Sequence, residues 1–155
     1  MAYNEKTIDI LNDLVKINND RIEGYEKAIK NSIHDSHYDE LFNSMIQQSN
    51  DIRQELSREI QRIGGEPEID STTNSGKIYR TWMDVKAAFT GNSEKSVLEL
   101  CEFGEDAAQK AYKEALSASE DIPEEIRELL LRQKNELKES HDMIKEERDR
   151  HQINS

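Results

Sequence analysis

Four side chains in the second half of the chain have the chemistry and the spacing to bind a metal ion. They are Glu102, Glu105, Glu136 and His141. Glu102 and Glu105 are three residues apart, so on a helix both side chains would lie on one face. Carboxylate oxygens and imidazole nitrogens are common ligands of iron and manganese. These residues are therefore candidate ligands, and the candidate ions are Fe and Mn.

A second group of polar residues offers a different role for the same carboxylates. These residues fall on or beside the apolar stripes of predicted helices, and they are Asn18, Tyr25, Gln48, Tyr112 and Gln133. Glu105 could accept hydrogen bonds from these tyrosines and glutamines, or pair with Arg53 or Arg132. An unpaired charge is costly in an apolar interior, and amides are good hydrogen-bond partners but weak metal ligands. We favour a core polar network, so no cofactor is expected, and Fe or Mn is the alternative.

The histidines do not provide the motif of a dinuclear iron centre. Such centres in helical bundles take a Glu-x-x-His motif from each of two helices. The residues three positions before the four histidines are Asn31, His34, Lys138 and Arg148. His34 and His37 could together bind a divalent ion, but we interpret them as solvated residues of a turn.

No sequence motif indicates catalysis. The chain has no Gly-x-Ser-x-Gly nucleophile motif and no phosphate-binding loop. Cys101 falls on an apolar stripe, where a free cysteine behaves as a small hydrophobic residue. We therefore assign no catalytic residues and favour a protein that is not an enzyme, with a metal-dependent oxidoreductase as the alternative.

The composition excludes several classes of function. The 155 residues include 21 Lys and Arg and 33 Asp and Glu, so the net charge is −12. Surfaces that bind nucleic acids or acidic membranes need the opposite sign. With 34% hydrophobic and 35% charged residues, no segment is apolar enough to span a membrane. The start of the chain has no apolar signal sequence, and a single cysteine excludes an internal disulfide, so we expect a cytoplasmic protein.

Apolar residues recur at steps of three, four and seven throughout the chain, which predicts amphipathic helices. The first segment, with Ile8, Leu11, Val15, Ile22 and Tyr25 on one face, is typical. Glycines, prolines and short polar residues separate the segments. The predicted long helices cover about 5–31, 36–63, 94–118 and 123–151.

Four long helices, each with one apolar stripe, predict a four-helix bundle in a single domain spanning 1–155. The first and last connections are short, so the helices that they join should be antiparallel. The middle connection, 66–93, is long enough to run the length of the bundle and contains a predicted short helix at 76–89. The second and third long helices should therefore be parallel, as in the all-α, ferritin-like arrangement.

Particular motifs strengthen this interpretation. The sequence TWMDVKAA at 81–88, followed by LCEFGEDAA at 100–108, resembles a bacterial ferritin-like family of unknown function. Further residues that match this pattern are Gly24, Tyr25, Ala28, Glu55, Leu56, Tyr112, Ala115, Leu116, His141 and Asp142. At Phe103 the chain departs from the family pattern, which often has Arg there. The resemblance implies a ferritin-like fold and no established activity.

Two functions are compatible with these features. The first is a non-enzymatic bundle, structural or stress-associated, that acts through self-association or a protein partner. The second is a metal-binding protein, of di-iron or manganese carboxylate type, with a non-standard ligand set. The absence of a Glu-x-x-His motif favours the first.

Overall fold

The computed structural model describes residues 2–31, 36–68, 94–117 and 122–154. Four helices account for most of these residues: α1 (Ala2–Asn31), α2 (Ser36–Arg62), α3 (Glu94–Ser117) and α4 (Glu124–Asn154). No strand occurs within these ranges. None of the four helices combines the length and the apolar composition that a membrane span requires.

The four helices form a bundle in which α1 is antiparallel to both α2 and α3, and α3 is antiparallel to α4. The direction of α1 relative to α2 follows from the contacts Tyr25–Phe42 and Asn12–Glu66. The direction of α1 relative to α3 follows from Tyr25–Glu105 and Asn18–Tyr112. The direction of α3 relative to α4 follows from Glu102–Arg148 and Tyr112–Gln133. It follows that α2 and α3 are parallel. The predicted all-α, ferritin-like four-helix bundle is confirmed. The predicted crossover helix at 76–89 lies outside the described residues.

The interior consists of two apolar clusters with polar residues between them. The larger cluster contains Leu11, Leu14, Ile52, Leu56, Ile60, Tyr112, Ile126 and Leu130, and the smaller contains Tyr25, Phe42, Met45, Leu98, Cys101 and Ile144. Between them along their helices are buried polar residues that include Asn18, Arg21, Ser49 and Glu105. The apolar periodicity is thus interrupted between the two clusters in each of the four helices, in α4 by Ser140.

Two glycines end α2. The N–H of Gly64 donates to the carbonyl of Gln61 at 3.1 Å, and the N–H of Gly65 donates to that of Ile60 at 2.8 Å. This pair of bonds is a Schellman motif, which places its first glycine in the left-handed region. Gly64 has a φ of 92°, as required.

After α2 the chain turns back along α1. The side-chain amide of Asn12 donates to the carbonyl of Glu66 at 3.0 Å and accepts from the N–H of Glu68 at 2.9 Å. Lys16 Nζ then lies 2.9 Å from a carboxylate oxygen of Glu68. Residues 66–68 therefore run in the same direction as α1, away from the end of the bundle at which α2 stops.

Candidate functional site

Glu105 lies at the centre of the polar residues and is completely buried. Its Oε1 atom is 2.6 Å from Nε of Arg21 and 2.6 Å from the hydroxyl oxygen of Tyr25, and both groups donate to it. Arg21 is 2% exposed, and Tyr25 and Glu105 are fully buried. A buried carboxylate requires a compensating charge. In this bundle the guanidinium of Arg21 supplies it.

Arg21 also connects Glu105 to α2. Its Nη1 atom donates to Ser49 Oγ at 2.7 Å and to the carbonyl of Met45 at 3.0 Å. The guanidinium carbon lies 5.3 Å from the centre of the Tyr25 ring, within the range of a cation–π interaction. One buried arginine on α1 thus contacts both α2 and α3.

This environment keeps the side chains of Tyr25, Cys101 and Tyr112 protonated. Burial, followed by the charge of Glu105, raises the pKa of Tyr25 well above its usual value. The same two causes raise the pKa of the Cys101 thiol. Burial also raises the pKa of Tyr112. Tyr25 is therefore a hydrogen-bond donor at neutral pH, and Cys101 lacks the thiolate that a nucleophile needs.

The network continues from Ser49 through Asn18 to α4. Ser49 Oγ lies 3.0 Å from Asn18 Oδ1, and Asn18 Nδ2 donates to Tyr112 Oη at 3.2 Å. Tyr112 then donates to Gln133 Oε1 at 2.9 Å. Gln133 Nε2 lies 3.4 Å from Glu55 Oε1 at the edge of the bundle. The path crosses all four helices.

Gln48 and Glu136 lie in a different place, where α2 faces α4. Gln48 accepts from Ser140 Oγ at 2.8 Å and donates to the backbone carbonyl of Glu136 at 3.3 Å. The Glu136 carboxylate accepts from Arg132 Nη1 at 2.9 Å, and Arg132 also bonds Glu55. Glu136 is thus the ion-pair partner of Arg132 at the α2–α4 seam, the surface where α2 faces α4. It shares none of the bonding partners described for Glu105.

Glu102 and His141 lie together between α3 and α4. Asp106, one turn after Glu102, joins them, and one potential ligand atom from each of the three lies within 4.8 Å of the others. His141 Nε2 is 2.5 Å from Asp106 Oδ1, and its Nδ1 is 3.2 Å from Asp142 Oδ1. Arg148 Nη1 bonds Glu102 Oε2. We call Glu102, Asp106 and His141 the α3–α4 cluster.

The four ligands predicted from the sequence are therefore distributed over three places. Glu105 is in the interior, Glu136 is at the α2–α4 seam, and Glu102 and His141 are in the α3–α4 cluster. Of the partners predicted for Glu105, Tyr25 contacts it. Arg53 and Arg132 bond other residues: Asn19, Asn50, Glu55 and Glu136.

Sequence reasoning missed Arg21, Ser49, Asp106 and Arg148. A signal for Arg21 was present, because it is three residues after Asn18 and four before Tyr25, on the same helical face. His37 lies 3.2 Å from Glu147, and its predicted partner His34 is outside the described residues.

Comparisons with known proteins bear on both the fold and the family. Over its length the chain is similar to a mutant of Dps1 from Mycobacterium smegmatis, with a TM-score of 0.80 and 15% identity over 95% of this chain and 97% of that one. No curated protein matches. Residues 6–119 match the family described as a domain of unknown function, DUF2383. The chain, a ferritin-like four-helix bundle, therefore belongs to the DUF2383 family.

Proposed function

We propose that the protein is a non-enzymatic, structural or stress-associated module that associates with copies of itself, and that its interior polar residues fix the helices instead of binding a metal. The observation that carries this proposal is the buried pair of Arg21 and Glu105. The guanidinium of Arg21 already neutralises the charge of the interior carboxylate of Glu105. The interior residues do not fit an iron or manganese ion, because a second positive charge beside Arg21 would be repelled.

The geometry of the network supports a role in setting helix register. Its bonds join α1 to α2, α1 to α3 and α3 to α4 over about two helical turns. A slip of one helix by one turn, about 5.4 Å, would break these bonds and leave buried polar groups without partners. Buried polar groups in other helical assemblies fix register at some cost in stability.

Self-association is supported by apolar side chains that the bundle leaves exposed on α3 and α4. Phe103, Leu131 and Met143 are 39%, 44% and 48% exposed. The net charge of −12 opposes contact between two copies, and salt screens that repulsion. Association should therefore strengthen as salt is added.

Sedimentation velocity at low and high salt tests this self-association. We expect a dimer or larger species at high salt that is weakened in the Leu131→Gln/Met143→Gln double variant. Glu139→Gln, an exposed change on the same helix, is the control. A protein that is monomeric at every salt concentration would contradict the proposal.

The interior is tested separately by elemental analysis after incubation with Fe(II) or Mn(II) and desalting. We expect the wild type and Glu105→Gln to retain the same amount of metal, with circular dichroism verifying that the variant is folded. Metal that the wild type retains and folded Glu105→Gln loses would show that the interior is a metal site.

A further inference from the structure

The α3–α4 cluster combines three metal-ligating side chains from two helices. Glu102 and Asp106 are one turn apart on α3, and His141 reaches them from antiparallel α4. Among the described residues, no other group of three histidine, cysteine or acidic side chains brings its ligand atoms so close together. The cluster is separate from the Glu105 network, since none of its three side chains bonds to Arg21 or Tyr25 in the bonds described above.

The contacts of the His141 ring match those of a histidine that binds a metal. Histidines that bind metals almost always donate their second ring N–H to a carboxylate or carbonyl, which fixes the ring and its tautomer. Oδ1 of Asp142 lies 3.2 Å from Nδ1 of His141, where it can accept a hydrogen bond. Nζ of Lys138 donates to the other carboxylate oxygen of Asp142 at 3.0 Å. With Nδ1 protonated, the lone pair of His141 is on Nε2, which faces Asp106 Oδ1 at 2.5 Å. Nε2 of His141 and a carboxylate oxygen of Asp106 therefore lie side by side, as two ligands of one cation do.

The charges around the cluster also favour a cation. Glu102, Asp106 and Asp142 are carboxylates, and Arg148 is shared between Glu102 and Asp149. Arg148 therefore neutralises only part of the negative charge. The accessibility suits exchange with solvent, because the side chains of His141 and Asp106 are 19% and 61% exposed.

We propose that Glu102, Asp106 and His141 form a binding site for one divalent transition-metal ion in the groove between α3 and α4. One imidazole and two carboxylates suit Mn²⁺, Fe²⁺, Co²⁺ or Zn²⁺ better than Ca²⁺ or Mg²⁺, which prefer oxygen ligands alone. Three protein ligands leave further coordination positions for water. This site differs in place and in ligands from the interior carboxylate of Glu105.

The test is titration of the full-length protein with Co(II), Mn(II) and Zn(II) by calorimetry. Co(II) is also followed by its visible absorption, which reports nitrogen and oxygen ligation. We expect one ion per chain, and at least about tenfold weaker binding in His141→Gln and in Asp106→Asn. His37→Gln removes an exposed histidine that also faces a glutamate, and it is the matched control.

Binding that is lost in His141→Gln and kept in His37→Gln would support the site. The proposal is overturned if the wild type binds none of the three ions, if His141→Gln binds as tightly as the wild type, or if both histidine variants lose binding equally. All the altered side chains are at least partly exposed, and circular dichroism verifies that helix content is unchanged.

Discussion

The guanidinium of Arg21 lies 2.6 Å from the carboxylate of Glu105, and both side chains are buried in the interior of the bundle. The two residues are 84 positions apart in the chain. Their bond therefore joins the α1–α2 half of the bundle to the α3–α4 half. Removing either partner would leave the other as an isolated charge in the core.

Arg21→Met should lower the free energy of unfolding by about 3–5 kcal/mol, because Glu105 would remain buried without a counter-charge. The double variant Arg21→Met/Glu105→Leu should recover most of this loss, since apolar groups of similar volume need no counter-charge. Urea denaturation followed by circular dichroism measures both values. A double variant as unstable as the single one would show that the charge of Glu105 is not the cause.

Tyr112→Phe should cost about 1–3 kcal/mol. The change removes the donor to Gln133 and the acceptor for Asn18, and both remaining groups are buried. Ser44→Ala, which alters an exposed hydroxyl, should change stability by less than about 0.5 kcal/mol. Equal losses in the two variants would argue against a network that stabilises the core.

Stability should fall as the pH rises above about 10. Burial raises the pKa of Tyr25 and Tyr112 in the folded state above the unfolded value of 10.0. A group whose folded pKa is raised contributes its full stabilisation below the unfolded pKa and loses it as the pH rises towards the folded pKa. Above pH 10 the unfolded chain therefore loses protons that the folded protein keeps.

This alkaline decline is measured by urea denaturation between pH 8 and pH 11. Each tyrosine contributes at most about 1.4 kcal/mol per pH unit. The decline should be shallower in Tyr112→Phe, which has one fewer buried hydroxyl to titrate. Identical slopes in wild type and variant would contradict the assignment to Tyr112.

Arg148→Gln should tighten metal binding at the α3–α4 cluster. Arg148 bonds Glu102, so it would compete with an incoming cation for the same carboxylate. A partly exposed ion pair is worth up to about 1 kcal/mol, so the gain in affinity should be up to about fivefold. Calorimetric titration with Zn(II) measures it, and weaker binding in the variant would show that Arg148 supports the site.

Gly64→Ala should destabilise the protein by about 1–2 kcal/mol, because a residue with a Cβ is strained at a φ of 92°. No atom from elsewhere in the described part of the chain lies within 4 Å of the added Cβ, so overlap with distant residues makes no contribution. The loss is measured as a lower melting temperature. An unchanged melting temperature would mean that the end of α2 can adopt another conformation without cost.

The fold could be predicted because its determinants are local. Apolar steps of three and four residues define each helix, and the Gly64–Gly65 pair ends α2 through its own backbone. The parallel arrangement of α2 and α3 follows from the length of their connection. These features require no knowledge of which side chains meet.

The candidate site was harder to predict because its partners come from different helices. Asp106 meets His141, and Arg148 meets Glu102, only in the register that α3 and α4 adopt. Arginine is also rarely buried in proteins, so the residue type alone argues against Arg21 as a core residue. The spacing of Arg21 from Asn18 and Tyr25 was the one local indication of its place.

The amide of Asn12 has a further consequence for how the bundle is assembled. By holding Glu66 and Glu68 on α1, it fixes the first part of the connection that leads to α3. Less of the connection is then free when the two helical pairs meet, so the entropy lost on closing it is smaller. One side chain on the first helix thereby favours the docking of elements that follow much later in the chain.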